Sequence, residues 1–394
     1  MNTKKKIMIL GTYAAIMLAI MSCSYLLEPA DNHIEDPDML GMWTLVSKES
    51  MDNGPSYSRT TYDSGYDIEV TGTYGNIFTA KTQGVEFSGV HIEHTIMFEY
   101  RYGETAWVRA NGSIVDGILV MYEMHYYTDD YWFVSISKYS KDDKRPDAPH
   151  NMPPFKYDPW MLREGYSHYY DIVSGPAEYE LEGRTFYISG GQGNIFRAEM
   201  QQGADGSIVT RHMNGIFTSI SDNARTAILL DESGKVWTLS IHNDLVTLRT
   251  IVISEYEATK PMVVTERKYF NGITPAVDPA PDMVGIWNSD GATGRLGDKT
   301  DKGLAGTVTT IYTDQFGYVF IGSTPASSLP EVGYVVYDPD AHNGWLVRIG
   351  TDMGSGEYKE GYAFLNEDAT KMTMVEFTWD GTKNGVMVYE FTKN

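Results

Sequence analysis

Apolar and polar residues alternate with a period of two over much of this chain. Trp132, Val134 and Ile136 fall on one face of a run, with Tyr131, Phe133, Ser135 and Ser137 on the other. Met372 and Met374 alternate with Val375, Phe377 and Trp379, and Val386 and Val388 with Met387, Tyr389 and Phe391. Residues 245–253 are rich in β-branched and aliphatic types. Such runs suit pleated strands. Asn111-Gly112, Asp116-Gly117, Ser233-Gly234, Asn343-Gly344 and Asp380-Gly381 supply the turns between them. No long stretch carries the 3.6-residue period of an amphipathic helix. The pattern predicts an all-β protein.

The strands come in repeated sets. Pro37-Asp38-Met39-Leu40-Gly41-Met42-Trp43 returns as Pro281-Asp282-Met283-Val284-Gly285-Ile286-Trp287. Between them, Asp158-Pro159-Trp160-Met161-Leu162 aligns with Asp36-Pro37-Asp38-Met39-Leu40, which spaces Met39, Met161 and Met283 evenly and leaves the middle copy without Gly-x-Trp. A second marker follows: Gly75-Asn76-Ile77-Phe78, Gly193-Asn194-Ile195-Phe196 and, more weakly, Gly317-Tyr318-Val319-Phe320. Charged or Pro-rich segments precede the later copies, as domain boundaries require. The expected organisation is repeat 1 at 38–144, a linker at 145–157, repeat 2 at 158–273, a linker at 274–280 and repeat 3 at 281–394.

Each unit of about 110–120 residues holds about eight short strands, which points to three tandem antiparallel barrel or sandwich domains. The main rival is a single β-propeller, whose blades run about 40–45 residues. Asp231-Glu232-Ser233-Gly234-Lys235-Val236-Trp237 has the look of a blade hairpin, but no self-match occurs at that spacing.

A domain of this size opening with Gly-x-Trp on its first strand resembles the calycins, the lipocalin and avidin group of eight-stranded barrels. Gly41-Met42-Trp43 and Gly285-Ile286-Trp287 are the matching residues. The resemblance implies that Trp43 and Trp287 pack across the closed end of a barrel. No ligand-contacting residue of that group matches this chain by position.

The N-terminal segment changes the setting. Lys4, Lys5 and Lys6 precede an uncharged, mostly apolar run from Ile7 to Met21. That is the layout of a secretory signal, and the core is shorter than the roughly 20 residues of a membrane-spanning helix. Ile20-Met21-Ser22-Cys23 resembles the bacterial lipobox, with Met21 where a small residue is more usual. The resemblance implies a signal peptide at 1–22, cleavage after Ser22 and lipid attachment at Cys23; residues 23–37, with Glu28, Asp31, Glu35, Asp36, Pro29 and Pro37, read as an acidic tether with too little apolar surface to fold alone. Cys23 is the single cysteine, so no internal disulfide competes for it. Ser24, rather than Asp, after the cysteine favours the outer membrane or cell surface by the same resemblance.

A net charge of −22 argues against nucleic acid and against adsorption on anionic lipid, so the membrane is expected as a partner only through the N-terminal lipid.

Candidate chemistry is sparse. In His91-Ile92-Glu93-His94 a strand turns only His91 and Glu93 to one face, too few for a metal. Residues 338–344 fail the EF-hand pattern at its fifth and sixth places and read as a hairpin turn. Gly291, Gly294 and Gly297 precede Asp298-Lys299-Thr300 without phosphate-loop spacing and read as a mobile loop. No Gly-x-Ser-x-Gly elbow is present. No catalytic residue, metal or cofactor is expected.

Aromatic clusters remain as binding candidates: Tyr122, Tyr126, Tyr131 and Trp132 around one hairpin, and Tyr166 and Tyr169 in a second group. The expected function is non-catalytic capture of a small apolar or glycan ligand, in a barrel cavity lined by inward-facing aromatics and methionines. The alternatives are surface display to a protein partner and, more remotely, a hydrolase with a site spread over propeller loops.

Overall fold

The computed structural model describes residues 38–53, 57–60, 66–92, 94–142, 160–169, 172–174, 185–202, 209–220, 224–242, 245–253, 262–270, 284–296, 299–303, 308–313, 319–324, 331–336, 345–351, 358–366 and 368–394. The signal peptide at 1–22, Cys23, the tether at 23–37 and both expected linkers lie outside these residues. So do residues 338–344 and the turn residues Gly317 and Tyr318.

All described regular structure is β, in three nine-stranded antiparallel sheets of identical topology. The first comprises β1 (Gly41–Asp52), β2 (Tyr57–Thr60), β3 (Ile68–Tyr74), β4 (Ile77–Thr82), β5 (Val85–Ile92), β6 (Thr95–Arg101), β7 (Trp107–Val115), β8 (Ile118–Thr128) and β9 (Tyr131–Ser140). Its order is β2-β1-β3-β4-β5-β6-β7-β8-β9, and β1 also pairs with β9. Strands β1 and β3 to β9 thus close on themselves as an up-and-down barrel, with β2 folded back on the far half of β1. The second barrel runs from β10 (Trp160–Tyr169) to β18 (Met262–Phe270) and the third from β19 (Gly285–Leu296) to β27 (Asn384–Lys393), closed by β10–β18 and β19–β27. Barrels, not sandwiches or propeller blades, are therefore the architecture.

The propeller-like look of residues 231–237 has a local cause. They form the turn between β15 (Ala224–Asp231) and β16 (Val236–His242). The buried Asp231 carboxylate accepts from the backbone N–H of Ser233 and Lys235 (2.9 and 3.0 Å) and from Trp237 Nε1 (2.9 Å). Arg211 adds an ion pair at 3.0 Å. The motif is a hairpin staple.

Strand register corrects the alignment of the middle unit. Trp43 pairs with Ile68 on β3, Trp160 with Phe186 on β12 (Thr185–Gln192), and Trp287 with Thr309 on β21 (Val308–Thr313). A β-bulge interrupts each closing ladder at the same place, between Leu45/Ser47, Leu162/Glu164 and Ser289/Gly291. Trp160 is therefore the counterpart of Trp43, and only the glycine has been lost, to Asp158. The even spacing of the methionines does not reflect structural equivalence.

In both outer units the motif seals one end of the barrel. Trp43 and Trp287 are buried, and Trp43 Nε1 donates to the Met39 carbonyl at 2.8 Å. Lys141 Nζ lies 4.7 Å from the Trp43 ring centre and Lys393 Nζ 5.3 Å from that of Trp287, within cation–π range. Gly41 and Gly285 have φ of 109° and 152°, a region L side chains rarely adopt.

The second repeated marker is structural as well. Gly75 and Gly193 open two-residue hairpin turns with φ of 56° and 59°. The phenylalanine that follows lies across a glycine of the next strand: a Cβ on Gly89 or Gly215 would sit 2.4 Å from Phe78 or Phe196. The stretch expected as a loop at 291–302 is instead mostly strand: Gly291–Leu296 lies in β19, and Lys299–Gly303 forms β20, paired to it. A Cβ on Gly294 would meet Met387 Sδ at 2.1 Å, so the glycine admits close packing.

The barrels are in contact. Met51, Met124, Trp132, Val134 and Ile136 of the first join Ile195, Ile216, Ile228 and Leu230 of the second in one apolar cluster. Asn214 Nδ2 donates across it to the Met51 and Asp52 carbonyls (3.3 and 2.7 Å). Toward the third barrel, Asn384 accepts from Arg101 N–H at 2.8 Å and donates to the Glu86 and Arg101 carbonyls at 3.3 and 3.4 Å.

Gly215→Ala tests the ring-over-glycine packing. The substitution is expected to destabilise the second barrel by about 1–3 kcal/mol, read as a lowered unfolding midpoint. An unchanged midpoint would show that Phe196 moves aside freely.

Candidate functional site in the first barrel

The lumen of the first barrel differs at its two ends. Near Trp43 it is filled by Leu45, Phe78, Phe87, Leu119, Met121 and other buried apolar groups. Toward the β8–β9 turn it holds a cavity of about 90 Å³. That is a few water molecules' worth, each taking ~30 Å³ in the liquid, and well below the ~300–1,000 Å³ of drug-sized sites.

The floor of the cavity is charged. On β8 the alternation that points Leu119 and Met121 inward also points Glu123 and His125 inward. On β9, Ser135, Ser137 and Tyr139 face the same way. Glu123 Oε2 accepts from Ser135 Oγ at 2.8 Å and Ser137 Oγ at 2.7 Å, with His125 Nε2 at 3.2 Å and Lys48 Nζ at 3.7 Å. Glu123 Oε1 accepts from the Tyr139 hydroxyl at 3.0 Å. Four of these groups crowd Oε2 and one reaches Oε1, so the carboxylate is held at both oxygens.

Lys48 reaches this floor because of the bulge on β1. Trp43 and Leu45 point inward, and strict alternation would send Lys48 out. The extra residue, Val46, shifts the register by one, which turns Lys48 into the lumen and Met51 outward. Lys48 Nζ then lies 4.9 and 5.3 Å from the ring centres of Tyr66 and Phe133.

The walls are aromatic. Phe98, Tyr100 and Tyr102 line the cavity with ring contacts of 5.9 and 5.3 Å, and Phe87 packs behind them at 4.7 and 4.9 Å. Tyr102 approaches Tyr127 at 5.8 Å, Tyr127 approaches Tyr131 at 5.4 Å, and His125 stacks on Phe133 at 4.1 Å. Tyr66, Tyr102 and Tyr131 are 38, 37 and 53% exposed and form the lip. They are the exposed tyrosines among the described side chains.

Burial works against ionisation of Glu123, but Lys48 and the hydrogen bonds of His125 and Ser137 outweigh it and hold the carboxyl well below the usual range. Burial pushes the His125 imidazole down, and Lys48 adds to the effect against the opposing pull of Glu123, to about 4. At neutral pH the floor is therefore a carboxylate, an ammonium and a neutral imidazole. Burial also raises the phenols of Tyr100, Tyr127 and Tyr139, which stay protonated.

The same register in the other barrels shows what is special here. Leu119 pairs with Tyr139, Val246 with Tyr269 and Met372 with Phe391 at matching places. Counting along from these pairs, Glu123 corresponds to Thr250 and Glu376, His125 to Val252 and Thr378, and Lys48 to Gly165 and Ala292. At these positions the third barrel keeps a carboxylate, with the Tyr389 hydroxyl at 3.3 Å, and replaces the lysine and histidine.

The candidates from sequence separate. Tyr131 lines the cavity. Tyr122, Tyr126 and Trp132 face outward, against the second barrel. Tyr166 and Tyr169 stand on β10, with side chains outside the described set. Gly41, Trp43, Gly285 and Trp287 sit at the closed ends. Lys48 and Glu123 escaped sequence reading, because the bulge hides the lysine's direction and one acid among 53 carboxylates carries no spacing signal.

No protein-family model matches the chain, and no curated protein sequence does. Solved structures with some likeness include a protein with unknown function from the DUF3598 family of Nostoc punctiforme. It is 10% identical, with a TM-score of 0.24, covering 61% of this chain and 96% of that one. Transferrin binding protein B from Neisseria meningitidis is 7% identical, with a TM-score of 0.21, covering 85% and 67%. A mutant of transferrin binding protein B from Haemophilus parasuis is 7% identical, with a TM-score of 0.21, covering 89% and 75%. At these scores the likeness adds nothing to the site.

Two outcomes test the floor. Glu123→Ala leaves Lys48 without its counter-ion and is expected to destabilise the barrel by about 3–5 kcal/mol, while Lys48→Met with Glu123→Met recovers most of that loss in thermal unfolding. Equal losses in both variants would show that the pair is not coupled. His125 has a lowered folded value, so folding disfavours its protonated form, and stability falls as pH drops from about 6.5 toward about 4. Glu123 contributes fully above the ordinary carboxyl range and loses its share only in stronger acid. His125→Phe should therefore flatten the melting-temperature profile between pH 6.5 and 4, and an unchanged slope would exclude the histidine as its source.

Proposed function

We propose that this chain is a lipid-anchored, extracytoplasmic binding protein. Its first barrel captures a small, flat ligand, and the other two act as scaffold. The observation that carries this reading is the charged floor beneath an exposed tyrosine lip. Buried charges are costly, and replacing such a pair by apolar residues is often neutral or stabilising. A cluster whose lysine and histidine positions are Gly165 and Val252 in the second barrel and Ala292 and Thr378 in the third, set at the base of an opening to solvent, is better explained by ligand contact than by folding. Perturbed ionisable groups in a cleft mark functional sites for the same reason.

The role is binding rather than catalysis. Ser135, His125 and Glu123 are the residue types of a hydrolytic triad, but they are wired differently. A triad needs the serine on one imidazole nitrogen and the acid on the other. Here both approach Nε2, and the serine hydroxyl donates to the carboxylate. That arrangement leaves no base to take the serine proton.

The anchored, surface-facing location is supported by the signal-like segment before Cys23 and the lipobox-like Ile20-Met21-Ser22-Cys23. The acidic body suits a soluble module standing off an anionic membrane.

Native mass spectrometry of the body released from its own cells tests the reading. One bound small molecule per chain is expected in the wild type, and none in the paired Lys48→Met, Glu123→Met variant. A bare wild-type chain, or a ligand retained by the variant, would count against it.

A further inference from the structure

The cation in the first barrel has more donors than the protein uses. A lysine ammonium carries three N–H groups. Among the described residues Lys48 Nζ makes no hydrogen bond, and the carboxylate oxygen beside it, Glu123 Oε2, lies at 3.7 Å. A charge-assisted bond between ammonium and carboxylate is about 2.7–2.9 Å long. Ser135 and Ser137 hold that oxygen instead, at 2.8 and 2.7 Å. An ammonium drawn out of bulk water without its hydrogen bonds is costly, so these donors call for an acceptor.

The ammonium is also within a ligand's reach. Lys48 lines the cavity, and its side chain is 14% exposed against 5% for Glu123. His125 Nδ1, by contrast, is sealed away without a partner. Nζ stands between floor and lip, 3.7 Å from the Glu123 carboxylate and 4.9 Å from the ring centre of Tyr66. Phe133 flanks it on another side at 5.3 Å. Farther out, Tyr127 lies 5.8 Å from Tyr102 and 5.4 Å from Tyr131, with planes within 32° and 26° of parallel. A group bonded to Nζ therefore continues outward between flat aromatic faces.

Resting on the binding reading above, we infer that the site takes a planar aromatic monocarboxylate, its carboxylate accepting from Lys48 Nζ and its ring held among the lip tyrosines. An anion is favoured over a neutral acceptor because its bond to the ammonium is charged at both ends. A single negative charge is the most the site balances: one ammonium already faces Glu123, and a chain of net charge −22 repels a polyanion. The enclosed volume of about 90 Å³ holds the carboxylate and the nearest ring atoms, and the rest of the ring stands in the lip. The competing chemistry is a cation or hydroxyl on Glu123 Oε1, which accepts from Tyr139 at 3.0 Å and keeps a further lone pair. That oxygen belongs to the less exposed partner, and a cation placed there would lie close to Lys48.

Calorimetric titration of the full chain at neutral pH tests the inference, with benzoate, benzamide, cyclohexanecarboxylate, benzylamine and glucose as probes. Benzamide keeps the ring and loses the charge, cyclohexanecarboxylate keeps the charge and loses the flat ring, and benzylamine reverses the charge. Benzoate is expected to bind the wild type roughly tenfold or more tightly than each of the others. In the paired Lys48→Met, Glu123→Met variant, benzoate and benzamide should bind alike; the wild-type ranking itself needs no variant. Benzoate binding no tighter than benzamide or cyclohexanecarboxylate, tighter binding of benzylamine or glucose, or a benzoate preference that survives in the paired variant would overturn the inference while leaving a binding cavity in place. Binding of none of the five would overturn it too. The native mass experiment, which does not depend on ligand class, would then decide separately whether the cavity binds anything.

Discussion

A closed barrel gives each strand residue two destinations, lumen or exterior, and the β1–β9 ladder is where the first barrel makes that choice twice. Before the bulge, β1 sends Trp43 and Leu45 into the apolar end of the lumen. After Val46 the parity reverses, and Lys48 enters while Met51 leaves. Without the reversal, the Glu123 carboxylate would lie buried with no cation beside it, and Lys48 would replace Met51 against the second barrel. The charged floor and the apolar interface both depend on one added residue in a hydrogen-bonded ladder. The other barrels carry the bulge in register but place Gly165 and Ala292 where Lys48 stands, so the device is shared and its use is not.

The wall formed by β8 and β9 shows the same logic. In its half beside the cavity, Met124, Trp132, Val134 and Ile136 look outward to the second barrel, and Glu123, His125, Ser135 and Ser137 look into the lumen. That reverses the usual assignment of apolar residues to a barrel interior. Two neighbours make it possible. The second barrel removes the outer face from water, and Lys48 with the serine and tyrosine hydroxyls satisfies the inner one.

Much of the fold was legible in the sequence. Period-two runs, Gly-containing turns and ordered markers predicted three antiparallel units, because those signals report local backbone requirements. Gly75 and Gly193 supply positive φ, and Trp43 and Trp287 close barrel ends. The middle unit was misaligned because Asp158-Pro159-Trp160 matched the wrong segment; the second marker, lying between well-formed strands, gave the better offset. The site was largely illegible. Tyr131 was visible as an aromatic near a turn, but Trp132 beside it faces the opposite way. Lys48, Glu123 and His125 meet only through long-range register and a bulge, neither of which leaves a spacing pattern.

The contact between the first two barrels bears on how such a chain can be inherited. Asn214 grips the carbonyls of Met51 and Asp52 on the strand that carries Lys48, and the cluster around Trp132 is shared between the two barrels. A gene segment cut at the boundary after Ser140 would encode a barrel with its greasiest wall in water. Across descendants of this chain, the outward residues of β8 and β9 should drift in step with Ile195, Ile216 and Ile228 rather than with the residues of their own lumen.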